Sequence, residues 1–252
     1  MPNRRPLHAS EALAGQLADV LARIVALEDR VREVARTIPG RIVFSTSVGL
    51  EDQAVQHAIA SAGAAVDVFT LDTGRLFPET LETLARTEQR YGMRIRVLAP
   101  DTHEIEALVA RDGIAGYRVS RDARLACCEA RKVRPLRRGL EGAAAWITGL
   151  RRGQSTGRAD IPFAAWEETQ GLIKVNPLAD WTSTQLDAYI AANDVPVNPL
   201  HARGFPSIGC QPCTRAISAG EDIRAGRWWW ENQDGKECGL HVRRPARAEV
   251  SA

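Results

Sequence analysis

Leu13, Leu17, Val20, Ile24, Leu27, Val31 and Val34 are apolar and separated alternately by four and three residues, which puts them on one stripe of a single helix. Such a stripe needs a surface to cover it. The chain's own domain is the expected cover, and a second copy packed through the stripe, giving a homo-oligomer, is the alternative. Pro39-Gly40 closes the segment. Beyond it the period changes. Short β-rich runs at residues 42–44, 66–71, 95–98 and 145–148 are separated by longer helix-compatible stretches such as 52–62 and 79–91. This alternation predicts βαβ units and an α/β fold with a mainly parallel sheet flanked by helices.

In open sheets of this class ligands bind beyond the carboxyl ends of the strands. Three polar, glycine-containing segments fall there, at residues 45–52, 71–75 and 148–155. From Pro196 onward, Pro199, Pro206, Pro212 and several glycines interrupt any long periodicity. The organisation read from the sequence is therefore an N-terminal helical segment over residues 1–40, a nucleotide-binding α/β domain over 41–201, and a loop-rich C-terminal extension over 202–252. That extension is expected to lie over the rim and to end in a mobile tail.

Charge narrows the class of partner. Among 252 residues, 33 Lys+Arg against 31 Asp+Glu leave a net +2, which argues against a general nucleic-acid-binding surface. No apolar run is long enough to span a membrane, and Arg4, Arg5 and His8 lead into Glu11 without a secretory signal pattern, so a cytoplasmic protein is expected.

The five cysteines are unevenly placed: Cys127-Cys128 adjacent, Cys210 and Cys213 in a Cys-x-x-Cys pair, and Cys238 alone. In a reducing compartment clustered cysteines more often hold metal than form disulfides. Zinc and an iron-sulfur cluster both satisfy four thiolates. Side chains of adjacent helical residues point about 100° apart, which is awkward for one tetrahedral ion and easier for a 4Fe-4S cubane with separate irons. Cys238 lies among Lys236, His241, Arg243 and Arg244, cations that favour the thiolate.

Around the predicted rim, Ser45, Thr46, Ser47 and the amides near Gly49 offer hydroxyls and N–H groups at a helix start, a site suited to phosphate oxygens. The Gly-x-x-x-x-Gly-Lys-Ser/Thr pattern of ordinary ATP hydrolysis is absent. Lys132 follows Cys128 by four residues, one turn along the same predicted helix face, and Arg224 and Arg227 follow Cys213 closely. Arginines suit a multiply charged oxyanion through forked hydrogen bonds.

Taken together, residues 127–136, 209–215, 220–231 and 237–241, with the loops at 47–51, 71–80 and 148–155, resemble the assimilatory adenylyl-sulfate reductases of bacteria. The resemblance spans about residue 41 to residue 241. It implies an adenine-nucleotide-hydrolase-like fold with a pyrophosphate loop, and a 4Fe-4S cluster held by Cys127, Cys128, Cys210 and Cys213. Cys238 is implied as the nucleophile, with His241 in the same catalytic set. By the same carry-over Ser45, Thr46, Ser47, Gly49, Glu51, Leu71, Asp72, Thr73, Gly74, Arg75 and Gly149 receive the nucleotide. Lys132, Arg151 or Arg152, Arg224 and Arg227 face phosphate and sulfate oxygens. The implied reaction is reduction of adenosine 5′-phosphosulfate (APS) to sulfite and AMP through a cysteine S-sulfonate, with reduced thioredoxin as a separate electron donor. Reduction of the 3′-phosphorylated substrate (PAPS), or of both, is the nearest alternative. An ATP-using sulfur-transfer enzyme acting on tRNA shares the fold, but residues 47–51 depart from its Ser-Gly-Gly-x-Asp-Ser loop. A zinc-stapled nucleotide-binding module without reductase activity is the non-enzymatic alternative.

Overall fold

The computed structural model describes residues 9–231. Among these, β1 (Arg41–Thr46), β2 (Asp67–Leu71), β3 (Arg96–Leu98), β4 (Ala143–Ile147), β5 (Ala164–Glu167) and β6 (Leu172–Val175) pair in the order β3-β2-β1-β4-β6-β5. All neighbours are parallel except β5, which runs antiparallel to β6 at the edge. The mainly parallel α/β reading therefore holds, with β5 and β6 as two four-residue strands that the sequence pattern left unassigned.

Alternation along β1 shows how the sheet separates two cores. Ile42 and Phe44 join a large cluster on one face, while Val43 points the other way to pack with Phe69, Leu136, Leu140, Trp146 and Leu172. Burying each such aliphatic or aromatic side chain contributes roughly 1.5–3 kcal/mol, so the period-two pattern fixes which face each strand presents. Helices α3 (Leu50–Ala62) and α4 (Pro78–Tyr91) follow β1 and β2, each ending on a glycine at positive φ, Gly63 at 60° and Gly92 at 61°.

The N-terminal stripe is not one helix. It divides into α1 (Glu11–Leu21) and α2 (Leu27–Thr37). Arg30, only 2% exposed, reaches back across the break, donating from Nε to the Ile24 carbonyl at 2.7 Å and from its Nη atoms to Pro177 and Asp180. A buried guanidinium needs those partners, and this set forms only if the chain turns between the helices. Leu13, Leu17, Leu27, Val31 and Val34 of the stripe join the main core with Leu21, and Ile24 packs against it, while Val20 is 40% exposed. The chain's own domain covers the stripe except at Val20.

Two further helices, α5 (Thr102–Asp112) and α6 (Arg121–Cys128), lead through a π-helical turn, Glu129–Val133, into α7 (Arg134–Leu140). The helix α8 (Ser183–Ala192) starts on a capping box between Thr182 and Gln185. The described part of the C-terminal extension is loop-rich and ties back to the sheet's rim, with Gln211 N–H donating to the Arg75 carbonyl at 2.8 Å.

Candidate active site

The strand order reverses direction between β1 and β4, and a cleft of about 250 Å³ opens there at the carboxyl ends of β1, β2 and β4. Its floor includes Ser45 and Thr46 at the end of β1 and Ser47, Gly49 and Glu51 beyond it, Leu71 at the end of β2 and Thr73 beyond it, and Gly149 after β4. The three loops singled out in the sequence do converge. Lys132, Arg224 and Arg227 line the same cleft.

The β1 loop is held by an internal carboxylate. Asp52, third residue of α3, accepts hydrogen bonds from both the backbone N–H and the hydroxyl of Ser47, each at 2.6 Å. The Gly149 N–H also donates to it, so one carboxyl fastens the β1 loop to the β4 loop. Burial pushes the Asp52 pKa up to about 6, against the Ser47 hydrogen bonds that favour the charged form. Gly149 has to lack a side chain, because a Cβ there would lie 2.3 Å from Asp52 Oδ1. Val48 turns the loop with a φ of 59°, a costly region for a β-branched residue, and its N–H is satisfied by Thr46 Oγ1 at 3.0 Å. Ser45 accepts from Trp146 Nε1 at 2.7 Å.

Behind the cationic wall lie the cysteines. Cys210 and Cys213 are buried together with Tyr117 and Trp228, and Cys127 packs against this group. Cys128 ends α6 beside Arg124. Burial and the neighbouring Cys210 push the Cys213 thiol up to about 12, while Lys132 and Arg227 oppose that rise. Burial also raises the Cys127 thiol, opposed by Arg131 and Arg75. Thr73 Oγ1 lies 3.3 Å from Cys210 Sγ, and Arg131 Nη1 donates to the Thr73 carbonyl at 2.7 Å. The chemistry of the surroundings fits an anionic, sulfur-rich group. Arg124 Nη1, Arg131 Nε, Arg227 Nε and Trp230 Nε1 are buried donors with no hydrogen-bond partner, and all four belong to residues around this cysteine set. Among the described residues, no three or more His, Cys, Asp or Glu side chains form a group placed to hold a single metal ion.

A match to the phosphoadenosine phosphosulfate reductase domain spans residues 41–216. The chain belongs to the phosphoadenosine phosphosulfate reductase family. Among relatives, the adenosine 5′-phosphosulfate reductase of Agrobacterium fabrum strain C58 is 56% identical over 203 residues, covering 81% of this chain and 78% of that protein. The enzyme of the same name from Allochromatium vinosum is 49% identical over 230 residues, covering 91% of this chain and 90% of its own length. A crystal structure of phosphoadenylyl-sulfate (PAPS) reductase from Candida auris, a phosphate complex, superposes with a TM-score of 0.70 at 26% identity. It covers 84% of this chain and 99% of that one.

Against this reductase-family fold, several expected contacts fall elsewhere. Arg151 is buried and ion-paired, its Nε and Nη2 donating to Glu51 Oε1 at 3.0 and 2.8 Å and its Nη1 to the Trp181 carbonyl. Arg152 donates to the Ile161 carbonyl and stacks over Phe163. Neither lines the cleft. The arginine this loop supplies is Arg158, brought round by two successive 3-10 turns and bonded to Gln154 Oε1 at 2.6 Å. Asp72, Gly74 and Arg75 also lie off the cleft lining. Asp72 closes the turn by accepting from Gly74 N–H at 2.8 Å, and Arg75 stacks 4.8 Å over Tyr117, toward Cys127. Lys132 reaches the cleft, but from the π-helical turn and not from a continuous α-helical face shared with Cys128.

Sequence reasoning missed Asp52, Gln154, Arg158 and His201, all of which line the cleft. Asp52 carried a readable signal, an acidic residue three positions into a helix after a serine loop, where it can reach back to orphan N–H groups. His201 carried none. Its two ring nitrogens are buried without a hydrogen-bond partner of good geometry, and burial lowers its pKa, which keeps the ring neutral near pH 7. Cys238 and His241 lie outside the described residues.

Proposed function

We propose that this protein reduces adenosine 5′-phosphosulfate to sulfite and AMP, using Cys238 as nucleophile and reduced thioredoxin as electron donor. The observation that carries the reading is the convergence of Lys132, Arg158, Arg224 and Arg227 on a cleft of about 250 Å³ backed by the cysteine set, in a chain whose relatives are named for this activity. A thiolate approaching a sulfuryl group meets like charge on its oxygens, and a preorganised cationic wall lowers that barrier.

The electron count closes with thiols alone. Cys238 thiolate attacks the substrate sulfur, an S–S bond forms, the bond from sulfur to the phosphate oxygen breaks, and AMP leaves with the electron pair. A thiolate of reduced thioredoxin then attacks Cys238 Sγ, and sulfite departs with the S–S electrons, leaving a mixed disulfide. The second thioredoxin thiol resolves it and restores Cys238. Two thiols are oxidised as sulfur gains two electrons.

Cys127, Cys128, Cys210 and Cys213 are the residues that would hold a 4Fe-4S cluster, with Arg124, Arg131, Arg227 and Trp230 supplying donors to its sulfurs. When bound, such a cluster supplies a compact anionic centre that draws these cations into place. Lys132 and Arg227, which border both Cys213 and the cleft, hold the phosphosulfate oxygens. The Ser45–Gly49 loop, fixed by Asp52, orients the nucleotide.

A thioredoxin of this kind belongs to a reducing cytoplasm, and no described helix is long and apolar enough to cross a membrane. The reading is tested by comparing kcat/KM for APS and PAPS with reduced thioredoxin on iron-replete protein. APS is expected to be the better substrate. Equal or faster sulfite release from PAPS would contradict the substrate assignment, and colourless protein containing zinc in place of iron and sulfide would contradict the cluster.

A further inference from the structure

Arg124 is 1% exposed, and its guanidinium joins three features of the molecule. Its Nε and Nη2 donate to Glu231 Oε1 and Oε2 at 2.5 and 2.9 Å, a forked pair between α6 and the end of the described chain. Its plane lies 4.4 Å from the centre of the Trp228 ring. It also borders Cys128. The same Trp228 ring carries Arg227 at 4.7 Å, and Arg227 lines the cleft. One buried indole thus stands between the substrate-facing arginine and the arginine that holds Glu231.

Holding Glu231 in that fork has a consequence downstream in the chain. Residues 228–231 close a turn, with Glu231 N–H donating to the Trp228 carbonyl at 2.9 Å, while Trp228 N–H donates to the Cys213 carbonyl at 3.2 Å. Residue 231, the last described one, is therefore held at a fixed point beside the cysteine set. Cys238 follows Glu231 by seven residues. At about 3.3–3.6 Å per residue the Cys238 Cα stays within roughly 25 Å of the Glu231 Cα, so anchoring that point raises the local concentration of the nucleophile at the cleft. A buried guanidinium without its counter-charge is strongly disfavoured, and few exposed pairs would give such a firm hold.

We propose that Glu231, through its forked pair with Arg124, is a positioning residue for the Cys238 thiolate: it sets where the nucleophile-bearing segment departs without itself touching substrate. This rests on the proposed role of Cys238.

The test uses the full-length, iron-replete protein and its Glu231→Gln variant, which keeps the size of the side chain but removes the charge and one of the two acceptor oxygens of the fork. Three quantities are compared: iron and sulfide per chain, the dissociation constant for AMP, and the single-turnover rate of sulfur transfer from sulfur-labelled APS to Cys238 without thioredoxin. Iron content and AMP affinity are expected within about twofold of wild type, with transfer slowed by about tenfold or more. Glu231→Asp, which restores the charge on a shorter arm, is expected to recover part of the rate. Transfer within about twofold of wild type, loss of iron, or a parallel loss of AMP affinity would each overturn the proposal, the last two by making the pair a structural element of the site. Wild-type protein that takes up no label would instead refute the Cys238 mechanism, and with it the premise of this role.

Discussion

The hydroxyl of Thr73 lies 3.3 Å from the sulfur of Cys210, and Thr73 lines the cleft. The loop after β2 is thereby a shared wall, one side facing the cleft and the other the cysteine set. Arg131 strengthens the junction by donating to the Thr73 carbonyl from the π-helical turn that also delivers Lys132. Thr73→Val keeps the shape of the side chain and deletes its hydroxyl, which also accepts from Arg75 N–H at 3.2 Å. A stability loss of about 1 kcal/mol is expected. Iron retained per chain after dialysis should fall with it, measured beside the urea midpoint; full iron retention at unchanged midpoint would count against the shared wall.

Arg158 and Arg152 separate a cleft residue from a structural one. Arg158→Ala removes a charge-assisted donor to an oxyanion and is expected to lower kcat/KM for APS by about ten- to a hundredfold with little change in urea midpoint. Arg152→Ala, which loses its contacts to Ile161 and Phe163, is expected to act mainly on stability. Steady-state kinetics and denaturation on both variants check the assignment, and a reversed pattern would return Arg152 to the substrate.

Gly149→Ala places a methyl group 2.3 Å from Asp52 Oδ1 and 3.1 Å from the Asp52 backbone nitrogen. The backbone atom cannot swing aside, so the β1 and β4 loops have to separate. Destabilisation of about 1–3 kcal/mol and a weaker AMP complex are expected together. Calorimetry of AMP binding at wild-type strength would show that the two loops are not coupled.

Asp52 gives a pH dependence whose sign follows from its raised pKa. The folded state holds this proton more tightly than the unfolded chain, so the group's stabilising contribution is present at low pH and is lost as pH rises from 3.8 to about 6. Above that window its contribution is flat, and the ionised carboxylate holds both Ser47 donors. The difference in urea midpoint between wild type and Asp52→Asn should change across this window and stay level from about pH 7 upward. Parallel curves throughout would contradict the burial of an ionising carboxyl.

Much of this site was legible in the sequence because its parts are local. The runs at 42–44, 66–71, 95–98 and 145–148 sit on β1 to β4, and the loops that follow β1, β2 and β4 meet at the cleft as the parallel arrangement requires. What was not legible depends on long-range partners. The break between α1 and α2 interrupts an unbroken four-three pattern because Arg30 finds Pro177 and Asp180, some 150 residues away in sequence. Glu51 holds Arg151 off the cleft lining, and Arg158 is brought to it by a pair of 3-10 turns with no periodic signature. The four-residue β5 and β6 are too short for alternation to mark them, and Leu172, Ile173 and Val175 are buried on both faces of the sheet.

The most direct test of the account is covalent capture on Cys238. Purified protein is incubated with sulfur-labelled APS in the absence of thioredoxin, digested, and its peptides assayed for label. The account predicts close to one label per active chain, confined to the peptide containing Cys238, released as sulfite on adding reduced thioredoxin and absent from Cys238→Ala. Wild-type protein that releases sulfite yet never carries label, or undiminished labelling of Cys238→Ala, would contradict it.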